Sequence, residues 1–300
     1  MAYSTKEKKA AYDRVRNVER RTKLFRQGQL AQNTTIGDPL PSPAIVLPVK
    51  APKHGLKIAV IPDCQVKPGV PIEHLAHAGK YIAAKRPDVV VCIGDFADLP
   101  SLSTWDKPGS LNTEGRRYKA DLDAVYHAMD ALMTPIAKAK GYQPLLIETD
   151  GNHEDRITRA VGADPRLVGT ISTADLRYEE YGWRVIPYLQ PVIIGGVAFS
   201  HFFPAGVMGR PISSPDAILA KLHMSAFAGH MQGRQVAYAR RADGHEMTAI
   251  ISGSFYQHAE NYLSPLANQH WRGMWMLHEV KDGSFDEMAL SLNYLKRRFG

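Results

Sequence analysis

Residues 88–98 read DVVVCIGDFAD, and this stretch decides the fold. A short apolar run at 89–93 stops at Gly94-Asp95, which is typical of a fully buried strand bounded by a turn. Residues 57–61, KIAVI, repeat the pattern and stop at a Pro-Asp turn. Between the two runs, residues 73–86 have helical composition. The stretch therefore belongs to a βαβ unit with parallel strands.

The same pattern continues along the chain. The next repeat of the helix-strand pattern consists of a predicted helix at about 117–140 and a strand at 144–149. Asp150-Gly151-Asn152-His153-Glu154 follows this strand. The second half changes to predicted strands, with Gly195-Gly196 as a hairpin turn. Their positions are 184–187, 192–194, 197–200, 227–228, 248–251 and a late pair near 276–277 and 288–290. The sequence predicts an α/β body whose second half is rich in strands.

Polar side chains follow these strands where each strand ends. They are Asp63, Gln65, Asp95, Asp98, Asn152, His153, His201, His230 and Gln232. Ligand sites in open α/β sheets form beyond the carboxyl ends of strands. Carboxylate, imidazole and amide donors suit hard or borderline divalent ions, and one carboxylate can bridge two ions about 3.5–4 Å apart. Taken singly, each residue has an ordinary structural explanation, but the order of the whole set predicts a site for two metal ions.

In this order, five segments resemble the calcineurin-like metallophosphoesterase superfamily. The family pattern is D-x-H, G-D-x-x-D, G-N-H-[ED], a lone His and G-H-x-H. The segments here are Asp63-Cys64-Gln65, Gly94 to Asp98, Gly151-Asn152-His153-Glu154, His201, and Gly229-His230-Met231-Gln232. The resemblance covers residues 57–295. It implies a four-layer α-β-β-α sandwich of two mixed sheets, and hydrolysis of phosphate esters by a hydroxide that bridges two metal ions.

The resemblance also assigns roles to the site residues. The residues that would hold the first ion are Asp63, Gln65, Asp95 and Gln232. The residues that would hold the second are Asp95, Asn152, His201 and His230. Asp95 is then the bridging ligand. His153 would stabilise or protonate the leaving oxygen, and Asp98 would orient the imidazole ring of His153.

Two departures from the family pattern bear on the chemistry. Gln65 and Gln232 stand where the family has histidine. Because an amide oxygen is a harder and weaker donor than imidazole, we expect manganese as the preferred ion and one readily lost ion, with Mg, Fe, Ni and Zn as alternatives. The second departure is Leu99, which stands where phosphoprotein phosphatases of this superfamily place an arginine. This departure disfavours a protein phosphatase.

Two inserts border the predicted site, at 100–119 and 155–181. The first contains Arg116, Arg117 and Tyr118, which could hold a phosphate and stack on a base. The alternative is that these residues only begin a solvated helix. His258 follows a predicted strand near the same rim and is a further candidate for substrate contact.

Positive charge is concentrated at the N-terminus. Residues 1–27 hold nine Lys or Arg against three acids, which accounts for +6 of the formal +7. They are predicted to form a basic helix that docks on the body, joins a homo-oligomer or contacts nucleic acid. Residues 28–55 form a predicted Pro-rich linker arm, and residues 56–300 a metallophosphoesterase domain.

Composition excludes several classes of protein. With 44% hydrophobic and 22% charged residues, the chain is a folded globular protein. Its two cysteines cannot build a disulfide framework or a cysteine-based zinc site. No run approaches the about 18 apolar residues that span a membrane, and the N-terminus lacks a secretory apolar region. We therefore expect a cytoplasmic protein with no membrane partner.

These observations favour a phosphodiesterase, such as a nuclease, acting on DNA, RNA or nucleotides. One alternative is a phosphomonoesterase acting on a small molecule or phosphoprotein. Another, of a different class, is a phosphate- or nucleic-acid-binding module in which the glutamine pair has weakened catalysis.

Overall fold

A computed structural model describes residues 44–107, 109–260 and 263–300. The predicted basic helix at 1–27 and residues 28–43 of the predicted arm lie outside these ranges. Within them, each helix is too short or too polar to cross a bilayer.

The described residues form fourteen strands and five α-helices. The strands are β1 (Ile45–Val46), β2 (Leu56–Ile61), β3 (Val89–Cys92), β4 (Leu145–Thr149), β5 (Arg184–Ile186), β6 (Val192–Ile194), β7 (Val197–Ser200), β8 (Pro204–Ala205), β9 (Arg210–Pro211), β10 (Ala226–Ala228), β11 (Arg234–Arg240), β12 (Glu246–Ser252), β13 (Gly273–Lys281) and β14 (Ser284–Ser291). The helices are α1 (Glu73–Lys85), α2 (Tyr118–Ala137), α3 (Asp155–Ala163), α4 (Pro215–Leu222) and α5 (Leu292–Phe299).

The strands build two six-stranded mixed sheets. The first has the order β14-β13-β2-β3-β4-β5, in which β2 to β5 are parallel and β13 runs antiparallel to β2. The second has the order β1-β6-β7-β10-β12-β11, in which β7, β10 and β12 are parallel. The short β8 and β9 form a separate hairpin. Both predicted sheets are therefore mixed, as expected.

Side chains along β2 and β3 point alternately to the two faces of the first sheet, so each face has its own part of the core. Side chains facing the second sheet are Ile58, Val60, Val89 and Val91. Those facing the helices are Ala59, Ile61, Val90 and Cys92, which pack with α1, α2 and α5. A third cluster joins the outer face of the second sheet to α4 through Ile218 and Leu219. The order helix, sheet, sheet, helix confirms the predicted four-layer sandwich.

Part of the predicted arm belongs to this sandwich. Within residues 44–55, β1 pairs in parallel with β6 at the edge of the second sheet. Leu47 is buried in the core between the two sheets. Residues 44–55 of the arm therefore contribute to the folded body.

His74, in the first turn of α1, is a buried neutral histidine. Its Nε2 lies 2.8 Å from the carbonyl oxygen of Phe255, and its ring meets the Phe255 ring edge-on. Burial disfavours the charged imidazole and lowers the pKa of His74 from 6.5 to about 4. In the pH range between these values, the unfolded chain binds the proton and the folded chain does not.

This difference predicts that folding stability falls as the pH drops below about 6.5 and levels off below about 4. Between about pH 7.5 and about pH 5, His74 alone is expected to remove about 2 kcal/mol from the free energy of unfolding. Urea unfolding at both pH values should show a smaller loss in His74→Gln than in the wild type. The exposed His54→Gln is the control. Equal losses in all three proteins would contradict the prediction.

Candidate metal centre

Four predicted ligands meet at the edge where the parallel strands end. Asp95 follows β3, Asn152 follows β4, His201 follows β7 and His230 follows β10. One donor atom from each of Asp95, His201 and His230 lies within 4.8 Å of the others. The Asn152 Oδ1 atom lies 2.7 Å from His230 Nδ1 and 2.9 Å from His201 Nε2, which in turn lies 3.3 Å from Asp95 Oδ2. The set predicted for the second ion is thus assembled.

These separations fit a single divalent ion. Neighbouring ligands about 2.1 Å from an octahedral ion are about 3 Å apart, which is close to the three separations observed. The set offers two nitrogen and two oxygen donors, suited to manganese, magnesium or zinc. His201 Nδ1 lies 3.0 Å from the carbonyl oxygen of Ile93, which fixes the ring so that Nε2 faces the other donors.

The glycines of the motifs allow this close approach. A Cβ atom on Gly151 would lie 2.1 Å from Asp95 Oδ1, and one on Gly229 would lie 2.5 Å from Asp63 Oδ1. Gly94 has a φ of +88°, and a Cβ there would lie 2.8 Å from His201 Nδ1. Any larger residue at these three positions would therefore displace a predicted ligand.

Several ligand positions have a left-handed backbone. The φ angle is 45° at Gln65, 51° at Asp95, 65° at His230 and 56° at Gln232. Glycine adopts this region readily, whereas other residues do so rarely. The loops after β2, β3 and β10 therefore hold an unusual conformation where the predicted ligands leave the backbone.

Electrostatic shifts in the site follow from burial and close contact. Burial opposes the charged imidazole of His201, but the carboxylates of Asp95 and Asp63 outweigh it and raise the pKa of His201 to about 9. Burial and the neighbouring His201 lower the pKa of His230 to about 4. Burial favours neutral Asp95, but His153 and His201 lower the pKa of Asp95 below its ordinary value. The centre therefore contains a carboxylate that stays charged although it is buried.

The residues predicted for the first ion have protein partners of their own. The carboxylate of Asp63 accepts the backbone N–H of His230 at 3.1 and 3.2 Å. Burial raises the pKa of Asp63 to about 7, although His201 opposes this shift. The Oε1 atom of Gln232 accepts the hydroxyl of buried Tyr256 at 2.7 Å. Gln65 is buried, and its backbone N–H donates to the carbonyl of Asp95 at 2.8 Å.

His153 is paired with a carboxylate, as the resemblance implied. Its Nδ1 lies 2.8 Å from Asp98 Oδ1, and its Nε2 lies 3.7 Å from Asp95 Oδ2. Burial opposes protonation of the ring, but Asp95 and Asp98 raise the pKa of His153 above its ordinary value. The imidazole can therefore carry a proton beside the predicted ion.

Asp98 is held by two cations as well. Lys67 Nζ lies 2.9 Å from Asp98 Oδ2, and Arg156 Nη1 lies 3.1 Å from Asp98 Oδ1. Burial favours the neutral acid, but the bond with His153 and the two cations lower the pKa of Asp98 below its ordinary value. Lys67 also pairs with Glu260 at 2.7 Å, and His258 Nε2 lies 2.6 Å from Glu260 Oε1.

The predicted substrate residues therefore lie in two places. His258 belongs to the chain Asp98, Lys67, Glu260, His258, and its ring stacks on Tyr256. The other three lie at the start of α2, where Arg116 and Tyr118 contact residues of the two inserts. Their positions are as follows: Arg116 Nη1 is 2.7 Å from Asp106 Oδ2, exposed Arg117 precedes the helix, and the hydroxyl of Tyr118 is 3.2 Å from Asp175 Oδ2.

Glu154 has a structural role that the sequence analysis did not assign. Its fully buried carboxylate accepts the backbone N–H groups of Asp95, Ala97 and Gly151, each at 2.9 Å. The hydroxyl of Tyr178 donates to it at 3.2 Å. This one side chain ties the loop after β3 to the loop after β4. Its place as the fourth residue of the G-N-H-E segment was the available signal.

We therefore expect Glu154→Ala to lower the free energy of unfolding by about 3 kcal/mol or more. The substitution leaves three backbone donors buried without their acceptor, each costing about 1 kcal/mol or more. Thermal or urea unfolding monitored by circular dichroism measures the loss. Glu114→Ala, at an exposed acid, is the control. A loss below about 1 kcal/mol for Glu154→Ala would contradict this role.

Compared with known protein families and with curated proteins, this chain matches none. The geometry of the site is therefore what bears on its function. That geometry comprises four converging donors for a divalent ion and an imidazole, His153, that is paired with Asp98 beside them.

Proposed function

We propose that the protein is a metal-dependent phosphodiesterase that cleaves nucleic acid or nucleotide diesters. The observation that carries the proposal is the convergence of Asp95, Asn152, His201 and His230 beside His153. A divalent ion, with manganese expected, would supply an acidified water for attack on phosphorus and positive charge to offset that of the phosphate. A second ion on the residues around Asp63 is part of the proposal.

The residues around the ion would protonate the leaving oxygen. Asp98 engages Nδ1 of His153, so Nε2 is the nitrogen that can donate a proton to a leaving oxygen. Arg156 Nη2 lies 3.2 Å from this nitrogen and can only donate to it, so His153 would serve as the acid once Nε2 has taken up a proton and this contact has opened. Lys67 and Arg156 fix the carboxylate that orients the ring. Here His153 would act as the acid, and Asp98, Lys67 and Arg156 as positioning residues.

The test compares hydrolysis of bis-p-nitrophenyl phosphate with that of p-nitrophenyl phosphate, with Mn²⁺, Mg²⁺, Zn²⁺ or a chelator added. We expect diester cleavage that requires a divalent ion and is fastest with Mn²⁺. If only the monoester is cleaved, the protein is a phosphomonoesterase and the proposed phosphodiesterase is wrong. DNA and RNA substrates follow once the diester is cleaved.

The bond from Tyr256 to Gln232 favours a second candidate. Because this hydroxyl takes one of the two lone pairs of the amide oxygen predicted to bind the first ion, the oxygen would be a weaker donor to that ion. The protein could then be a binding module for phosphate groups or nucleic acid, with one ion that does not support turnover. The binding module would be favoured if metal analysis finds bound ion but neither ester is hydrolysed with any of the added ions. A cytoplasmic setting, in keeping with the free buried Cys64 and Cys92, is also part of our proposal.

A further inference from the structure

A cleft of about 440 Å³ opens between β11 and β14, which lie at the ends of the two sheets. It is lined by Arg234, Gln235, Val236, Trp275, Glu287 and Ala289. This volume falls in the range of sites for small ligands.

Arg234 and the buried Trp275 line the cleft, and Trp271 contacts both of them. The Cζ atom of exposed Arg234 lies 4.7 Å from the centroid of the Trp271 ring. Trp271 packs 5.7 Å from Trp275, and the buried Nε1 of Trp275 donates to the carbonyl of Ser252 at 2.8 Å. A Cβ atom on Gly273 would lie 2.6 Å from the Trp271 ring, so glycine makes room for the indole.

The cleft begins beside the metal centre. Arg234 follows the predicted ligand Gln232 by two residues and pairs with Ser252 at the end of β12. Ser254 pairs with Asp63 on one side and with Arg272 on the other. The guanidinium of Arg272 lies over the ring of Tyr256, whose hydroxyl bonds Gln232. Strand pairing and short sequence separations thus connect the cleft to the residues predicted for the first ion.

We propose that this cleft binds a nucleobase of the substrate strand, next to the phosphate at the metal centre. Arg234 is exposed, and a guanidinium that lies over an indole ring is a group on which unpaired bases stack, with tolerance for any base. Gln235 and Glu287 offer polar atoms to the edge of the base, and Glu287 is fixed by the hydroxyl of Tyr238. This inference rests on the proposed function, because it presumes a nucleic acid substrate.

The test measures binding without turnover. The full-length protein in chelator is titrated with a thymidine hexamer and with an abasic hexamer of the same charge, and tryptophan fluorescence is followed. We expect quenching by the thymidine hexamer only, and about tenfold weaker binding in Arg234→Ala. Arg240→Ala is the matched control, since Arg240 lies at the far end of the same strand and pairs with Glu246.

Unchanged affinity in Arg234→Ala, or equal weakening by both arginine substitutions, would overturn the base-binding cleft. Hydrolysis of bis-p-nitrophenyl phosphate by the wild type separates this failure from failure of the proposed function. If the small diester is cleaved but the hexamers bind alike, the cleft is wrong and the phosphodiesterase stands. If the diester is not cleaved but Arg234-dependent base binding is observed, the cleft stands without the enzyme.

Discussion

Asp95→Asn is expected to lower metal-dependent diester hydrolysis by about 10³-fold or more and to release bound metal. A metal ion supplies several kcal/mol of transition-state stabilisation, and about 1.4 kcal/mol corresponds to a factor of ten in rate. Asp95 is the charged member of the assembled donor set and the predicted bridge to the first ion. Asparagine has the size of aspartate but lacks its charge. The imidazoles of His201 and His153 would therefore no longer face an anion.

Metal content and the rate on bis-p-nitrophenyl phosphate, measured on the same preparations, check this expectation. Asp216→Asn, at an exposed acid on α4, controls for the loss of one surface charge. Retained metal with lost activity would mean that Asp95 does not hold the ion. Retained activity would remove the basis of the proposed enzyme.

His153→Ala is expected to show a second large effect, whose size depends on the leaving group. General acid catalysis contributes about 10²–10⁴-fold, and the contribution grows as the leaving oxygen becomes more basic. We expect about a 10³-fold loss on a nucleotide diester, whose alkoxide must be protonated as it leaves. On bis-p-nitrophenyl phosphate the loss should be about tenfold, because p-nitrophenolate leaves without a proton.

Rates are measured on both substrates, and metal content is measured on each variant. Together these measurements separate the loss of proton donation from the loss of the ion. The variant should retain its metal, because Nε2 of His153 lies beside the donor set and is not one of its four members. An equal loss on both substrates would contradict the role as proton donor. The same assay on Asp98→Asn tests the positioning role, with a smaller loss of the same leaving-group dependence.

The central strands could be predicted because their pattern is strong. Apolar runs that stop at Gly-Asp or Pro-Asp gave β2 and β3 within one residue at each end, and α1 was predicted at 73–86 and observed at Glu73–Lys85. Buried parallel strands are continuous apolar runs, and this composition is readable without a partner. The four-layer architecture followed from the family resemblance, and the described residues confirm it.

The edges of the sheets could not be predicted in the same way. β11 was missed because an edge strand exposes both of its faces in part, and Arg234–Arg240 alternates weakly in hydrophobicity. β1 was missed because two residues beside several prolines carry little signal. The eight-residue α4 and α5 were also missed, since short helices owe their stability to packing more than to propensity.

The convergence of the candidate metal-binding residues was predictable because each of them follows a strand, and the ends of parallel strands lie together. The ion pairs around Asp98 were not, because Lys67 and Glu260 are 193 residues apart and meet only in the folded chain. Arg156 lies one helical turn beyond His153 and could have been suspected from that spacing. Tyr256, which bonds Gln232, follows a predicted strand but belongs to no recognised segment.

The left-handed backbone at Gln65, Asp95, His230 and Gln232 has an evolutionary consequence. A residue with a side chain costs about 1 kcal/mol or more at such a position, so glycine would be favoured if stability alone were selected. Four such positions together lower the free energy of unfolding by a few kcal/mol. This is a large share of the about 5–15 kcal/mol that is typical of a folded domain. Glycine at these four positions would therefore mark a descendant of this chain that has kept the sandwich and lost the proposed metal site.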